Sequence, residues 1–364
     1  MQNVLIIKLR YIGDVLLATQ TVRAIKVARP DIRVTMLVNH GTEGVLYGNP
    51  NIDEIMIVDK GSVSAQLRFI AGLRRRRFDT VIDLTDGDRA AFLSWISGAP
   101  VRIGFNDRNC PRGRLYTQVV PLAQGTPHAI DRDLDALKLM DIHGGTKDVQ
   151  LWLTKEEEDS ADQLLDQLEV QRSHPIVVLQ PGARHWFKAW PPERFAELAD
   201  CLTSQYGCQI LIGGSSQEGD LAKQVRQMAK SRPIIIAGRT TVRQFAAIAK
   251  KAALFIGNDT GAMHIASAVG TPVVALFGPS SPREWGPCGG PAEILYKEID
   301  CRRSCRPTCT KGEENCMRLI TVHEVYAAAQ RFLAGNAQGV ALDCPSNSQR
   351  IDSPVSISPA TSRP

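Results

Sequence analysis

Apolar residues alternate between two rhythms along the first part of this chain. Val4 to Lys8 is a short, nearly unbroken apolar run, the pattern of a strand buried on both faces. Behind it Val15, Ala18, Val22 and Ile25 recur at helical spacing, and Pro30 with Asp31 ends that helix before the next apolar run, Arg33 to Val38. Asp53 to Asp59 and Phe78 to Leu84 predict further strands, with helices from Ser62 to Arg77 and from Arg89 to Gly98. Strands that alternate with helices predict a parallel, doubly wound sheet. After Arg108 the rhythm weakens through a passage rich in Pro, Gly and Asn, and a helix of mixed charge from Ala129 to Ile142 leads to Gly144 and Gly145.

A second alternation starts at Pro175 with IVVLQPG and runs on through QILIGG, PIIIAG, ALFIGND and PVVALFG, each followed by a helical pattern. The expected class is therefore α/β, with an N-terminal Rossmann-like unit over 1–150 and a second over 151–335 facing it across a cleft. The connection is expected at about 145–172, including a charged helix around Lys155 to Leu168. The tail, 336–364, is rich in Ser and Pro without apolar periodicity and predicts disorder. In open α/β sheets ligands bind beyond the carboxyl ends of the strands, so candidate chemistry is sought just after each apolar run.

Composition narrows the class. With 364 residues and 43% apolar content the chain can fill two cores, which excludes a small binding module. No apolar stretch approaches the roughly 20 residues of a spanning helix, and no signal peptide is expected. A net charge of +5 is too small to argue for a nucleic-acid partner, but suits phosphates or anionic lipid. Nine cysteines lack the density of a disulfide framework, which fits a reducing cytoplasm.

Immediately after the first strand, RYIGDVLLATQ places Gly13 at a tight turn and Asp14 at a helix start, where its carboxylate either faces the cleft or caps the helix. No G-x-G-x-x-G follows the early strands, which argues against a dinucleotide oxidoreductase. In the second unit, LQPGARHWFKAWPPERF brings Arg184, His185 and Lys188 to a strand end, where a lysine can stabilise a departing diphosphate. The competing reading is a solvated loop with Trp186 and Trp190 packed on the surface. FIGNDTGAMHIASAVG is the strongest local signal: a strand ends in Asn258-Asp259-Thr260-Gly261 and a helix begins, its free N–H groups pointing at any anion there. His264 lies one turn on from Thr260 and Gly261 and can reach the same ligand or serve the fold. Glu218 follows QILIGGSSQ at another strand end, where it can accept ribose hydroxyls or cap a helix; Phe277 to Ser280 forms a similar turn.

Cys301, Cys305, Cys309 and Cys316 form a compact thiol group among arginines, open to zinc, to redox chemistry or to no chemistry at all. Leu67 to Arg77 reads as a basic amphipathic helix, either an ordinary crossover or a surface for anionic lipid or acceptor phosphates.

Five segments, IIKLRYIGDVLLATQTVRAIKVARP, FDTVIDL, HAIDRDLDALKLM, QPGARHWFKAWPPERFAELA and GNDTGAMHIASAVGTPVVALFGPSSP, stand in one order that resembles glycosyltransferase family 9, the ADP-heptose:lipopolysaccharide heptosyltransferases, over about residues 1–335. The cysteine insert and the lysine loop resemble the heptosyltransferase III-like branch more than a first- or second-heptose enzyme. The resemblance implies a GT-B fold and metal-independent, inverting transfer without a cofactor, from an ADP-heptose donor to a lipid A-core acceptor. Composition and charge predict a cytoplasmic protein without a nucleic-acid partner, and the basic helix leaves open a peripheral contact with the inner membrane. By the same resemblance Asp14 matches the general base, Lys188 the lysine on the donor phosphate, and Asp259, Thr260, Gly261 and His264 the donor-binding D-T-G-x-x-H motif. Glu218 matches a carboxylate on the donor ribose and Thr240 a position near the adenine, while His128 lies in a segment near the acceptor side without an assigned role. A nucleotide-sugar epimerase or hydrolase on the same scaffold, a non-catalytic sugar-nucleotide binder and a family member with another donor or acceptor are the competing readings.

Overall fold

The computed structural model describes residues 2–58, 61–105, 111–121, 125, 127–299 and 308–334. Its strands are β1 (Asn3–Lys8), β2 (Arg33–Asn39), β3 (Glu54–Val58), β4 (Thr80–Asp83), β5 (Val101–Phe105), β6 (Gln118–Val120), β7 (Ile176–Gln180), β8 (Gln209–Ile212), β9 (Ile234–Ile235), β10 (Leu254–Asn258), β11 (Val273–Phe277) and β12 (Ala292–Tyr296). They form two six-stranded sheets, ordered β3-β2-β1-β4-β5-β6 and β12-β11-β10-β7-β8-β9, with every pairing parallel. Read from opposite ends, both orders are the same Rossmann order, so each sheet reverses direction between its first and fourth strands. That reversal places the segments after β1 and β4 at one crevice and those after β7 and β10 at the other.

The helices are α1 (Ile12–Leu17), α2 (Thr19–Ala28), α3 (Val63–Arg75), α4 (Asp88–Ile96), α5 (Ala129–Asp135), α6 (Lys155–Gln167), α7 (Pro192–Tyr206), α8 (Gly219–Met228), α9 (Val242–Lys251), α10 (Gly261–Ala268), α11 (Pro282–Trp285) and α12 (Val322–Leu333). None among the described residues is long and apolar enough to cross a membrane. The single helix expected after β1 is two: the Thr19 hydroxyl donates to the Leu16 carbonyl at 2.6 Å where α1 gives way to α2. The apolar spacing continues through that break, which is why the pattern concealed it. The helix expected over Ala129 to Ile142 tightens into a 3-10 turn from Ala136, and Asp141 ends it in a left-handed conformation at φ 62°.

The charged helix α6, expected within the connection, packs on α9 in the second unit. Lys250 pairs with Glu158 at 2.6 Å, Lys251 with Asp162 at 2.9 Å, and Gln244 donates to the Ser160 hydroxyl at 3.0 Å. Its acidic face has found a basic partner that a local pattern cannot display. Arg243 of α9 binds Glu157 at 2.5 Å and also donates to the Trp152 and Gly44 carbonyls, tying the connection and the first unit to the second. The Leu151 N–H donates to the Ala268 carbonyl at 3.0 Å. A single apolar cluster runs from β1, β2 and α2 through Val149 and Leu151 to α9 and α10, so the two sheets share a continuous interior layer.

β4 ends in the fully buried Asp83, whose carboxylate accepts from the Tyr116 hydroxyl at 2.6 Å and the Thr85 N–H at 2.7 Å. Gly104 makes room for that tyrosine, since a Cβ there would lie 2.4 Å from its ring. Burial pushes the Asp83 carboxyl up to about 6 against these bonds. A raised carboxyl pKa gives stability that is complete below about pH 4 and is lost as pH rises through 6, at a cost of about 3 kcal/mol by pH 8. Asp83→Asn removes that titration while keeping an acceptor for Thr85 and a partner for Tyr116. The melting temperature of the variant relative to the native chain should rise by several degrees between pH 4 and pH 8; a difference that does not change with pH would contradict this account.

Candidate active site

The two crevices meet through two glycines. A Cβ on Gly13, the second residue of α1, would lie 2.7 Å from Cδ2 of His264, and one on Gly261, the first residue of α10, would lie 3.3 Å from the Ile12 Cβ. A Cβ at Gly13 would have to displace the His264 ring, and one at Gly261 would press on Ile12. The contact puts Asp14, in the first turn of α1, across from the turn Thr260–His264. The Asp14 carboxylate is half-buried and has no hydrogen bond or ion pair among the described residues; α1 itself has no side-chain cap. The capping alternative therefore falls away.

Beside it lies a buried ion pair that the sequence reading missed. Lys8, the last residue of β1, donates to Asp133 of α5 at 2.6 Å, with both side chains enclosed. Burial raises the Asp133 carboxyl, the Lys8 ammonium opposes that rise, and the Asp14 charge adds to it. The available signal was a lysine at the end of a strand otherwise buried on both faces.

On the opposite wall, Asn258 at the end of β10 fixes the loop after β7. Its amide donates to the Pro181 and Gly182 carbonyls at 2.9 and 3.2 Å, and its Oδ1 accepts from the Trp190 N–H at 3.0 Å. The local motif gives no sign of this role for Asn258. Trp190 itself is buried and donates its indole N–H to the Ile320 carbonyl at 2.8 Å, whereas Trp186 is exposed. The loop so held carries Lys188, whose Nζ donates to Asp259 Oδ2 at 3.2 Å. Arg184 of the same loop stacks over the Tyr11 ring at 3.2 Å, a contact from one unit to the other, and His185 stacks on Phe187.

Two polar atoms at this wall are buried without a partner: the Thr260 hydroxyl and Nδ1 of His264. Thr260 occupies the N-cap of α10 and makes no capping bond, leaving the backbone N–H groups of Gly261 and its successors open. An anionic ligand with acceptor oxygens is the kind of partner that the Thr260 hydroxyl and the open N–H groups of α10 take. Desolvation lowers the His264 pKa despite the nearby Asp259 and Asp14 charges, so the ring is neutral at neutral pH.

Glu218 stands at the start of α8 with Oε2 accepting from the Ser215 N–H at 2.7 Å, so it caps the preceding turn while Oε1 faces the loop after β7. A Cβ on Gly182 would sit 1.7 Å from that Oε1. Gly182→Ala should therefore push the carboxylate aside and raise KM for a nucleotide donor about ten-fold with kcat nearly unchanged, measured by initial rates; unchanged KM would remove Glu218 from the donor site. Gly238, two residues before the half-buried Thr240, lies against this turn, since a Cβ there would be 2.9 Å from Ser216 Cα. The Phe277–Ser280 turn is held from behind, Gly278 lying against Met317 and the Phe187 carbonyl.

His128 lies at the seam between the two units, near enough for its charge to act on His264. Its Nδ1 accepts from the Ile130 N–H at 3.2 Å, so Nε2 carries the proton and donates to the Gly286 carbonyl at 3.1 Å, joining the two units. Cys301 and Cys305 lie outside the described residues, as does the tail 336–364. Cys309 and Cys316 are buried, Cys309 packing on Phe187 behind the lysine loop. Among the described residues no three His, Cys, Asp or Glu side chains are grouped to hold a metal.

The profile of glycosyltransferase family 9 (heptosyltransferase) matches residues 66–314. Lipopolysaccharide heptosyltransferase 3 of Escherichia coli strain K12 is 32% identical over 343 residues, which span 90% of this chain and 97% of that protein. The lipopolysaccharide core heptosyltransferase OpsX of Haemophilus influenzae is 25% identical, spanning 91% of this chain and 97% of its own. Among solved structures, a family 9 glycosyltransferase from Veillonella parvula DSM 2008 superposes with a TM-score of 0.81 at 24% identity, covering 92% of this chain and 97% of that one. The E. coli ADP-heptose lipopolysaccharide heptosyltransferase II superposes at 0.75 with 21% identity, covering 92% and 99%. Both share the two-sheet GT-B fold.

Proposed function

The chain belongs to glycosyltransferase family 9, and from that premise we propose that it moves a heptose from ADP-L-glycero-D-manno-heptose to the lipid A-core of lipopolysaccharide, with inversion. The observation that carries this reading is the approach of Asp14 to the Thr260–His264 turn across the Gly13 and Gly261 contact. A free carboxylate then faces an anion site across the space where a sugar would lie.

In this reading Asp14 accepts the proton of the acceptor hydroxyl as its oxygen bonds to the anomeric carbon. The bond from that carbon to the β-phosphate oxygen breaks in the same step, and ADP departs with the electron pair. A single displacement of this kind inverts the anomeric centre. Lys188 and the open N–H groups of α10 stabilise the charge gathering on the diphosphate, and the Thr260 hydroxyl gains its missing partner there. Asp259 holds Lys188 in place, Glu218 accepts from the ribose hydroxyls, and Thr240 lies toward the adenine. The protein works in the cytoplasm at the inner face of the membrane that carries its acceptor.

Release of ADP, followed with donor alone and with donor plus acceptor, tests the reaction class. ADP should appear only when both substrates are present. Release with water as the sole acceptor would identify a hydrolase, and a changed sugar without release an epimerase.

A further inference from the structure

The outer layer of the first sheet carries a surface that the transfer reaction does not use. Helices α3 and α4 lie side by side on one face of this sheet, both packing inward on the cluster that holds Leu73, Phe78, Ala90 and Leu93. Outward they expose Val63 (74%), Leu67 (62%), Phe92 (46%) and Trp95 (51%). These are four of the eleven large apolar side chains exposed among the described residues, and the Phe92 and Trp95 rings are 6.0 Å apart. Isolated exposed apolar residues need no explanation; a concentration on one layer does.

The charge of this layer is one-sided. Arg68, Arg74, Arg75, Arg77 and Arg89 are exposed and make no ion pair or side-chain hydrogen bond among the described residues. The nearby acids are already engaged: Asp86 and Asp88 by Arg112, Asp86 also by Arg132, and Glu54 by Arg76 and Arg33. Uncompensated guanidinium groups around aromatic and aliphatic side chains match the interface of an anionic bilayer. Headgroup phosphates meet the cations there, and rings settle at the boundary with the acyl chains. A folded protein partner would instead be expected to offer carboxylates in fixed positions, and nothing in this pattern calls for that geometry.

We propose that the outward faces of α3 and α4 dock this protein on an anionic phospholipid surface through Val63, Leu67, Phe92, Trp95 and the five unpaired arginines. The inference deepens the reading of a lipid-borne acceptor and rests on it. α3 and α4 begin at the carboxyl ends of β3 and β4, the edge of the sheet that borders the crevice. Docking along these helices therefore brings the cleft mouth to the membrane, where a lipid-anchored acceptor can enter sideways.

Flotation of the full chain with phosphatidylcholine vesicles, with and without about 30% phosphatidylglycerol, tests the proposal. Two variants accompany it, Phe92→Ser with Trp95→Ser, and Arg68→Gln with Arg74→Gln and Arg75→Gln. The native chain should float only with anionic vesicles, and each variant should lose at least ten-fold in partitioning. ADP release with a delipidated, water-soluble core acceptor should stay unchanged in both. Equal partitioning of native and variant chains would overturn the proposal, as would native binding that ignores phosphatidylglycerol. Variants that float normally but fail with the delipidated acceptor would also overturn it, making the patch an acceptor site. If no chain turned over any acceptor while the vesicle pattern held, the transfer reading would fall and the docking face would stand.

Discussion

Asp14→Asn should lower kcat for sugar transfer by about 10²–10⁴-fold while leaving the affinity for ADP within a factor of two. The carboxylate is half-buried, unpaired and outside any capping bond, so an amide of the same shape disturbs neither α1 nor its contact with α10. What it removes is the ability to accept a proton. The loss belongs in kcat, because the acceptor still binds and only the transition state has lost a partner. Calorimetry of ADP binding beside steady-state rates separates this from a structural role. A variant with native kcat would leave the base elsewhere; one with weakened ADP binding would make Asp14 a support of the donor site.

Lys188→Ala should cost about 10²–10³-fold in kcat, the range found when one preorganised donor to a developing anion is removed. Its charge sits 3.2 Å from Asp259, which is only 12% exposed on its side chain. Removing the lysine leaves that carboxylate uncompensated beside the incoming diphosphate, so ADP affinity should fall as well. This gives the prediction a signature that a loop defect would lack. Adding Asp259→Asn to the Lys188→Ala chain should restore part of the ADP affinity by removing the repulsion, while kcat stays low. Losses in the double variant that simply add would contradict the pairing of the two residues near the phosphates.

Most of the fold was legible because parallel strands buried on both faces write themselves as apolar runs. β1, β2, β4, β7, β8, β10 and β11 all show such runs. The strands that escaped notice lack that property: β5 is interrupted by Arg102 and Gly104, β6 has three residues, and β12 lies at a half-exposed edge. At the site, Gly13, Asp14, Lys188 and the turn after β10 were visible because each follows a strand end. Their assembly was not, since Gly13 is required by a histidine ring from the other unit and Lys8 pairs with a residue 125 positions away. Asn258 was equally silent, because its value lies in two carbonyls of a distant loop. Local sequence reports which groups stand at strand ends; only packing reports which of them meet.

The central claim is a single displacement at the anomeric carbon between Asp14 and the Lys188 wall. The most direct measurement is the product of the purified chain incubated with ADP-L-glycero-D-manno-heptose and a heptose-deficient lipid A-core, analysed by mass spectrometry and by NMR of the new anomeric centre. The account predicts one added heptose per acceptor, one ADP released for each, and an anomeric configuration opposite to that of the donor. An unchanged acceptor mass despite tight donor binding, or a product of retained configuration, would contradict it.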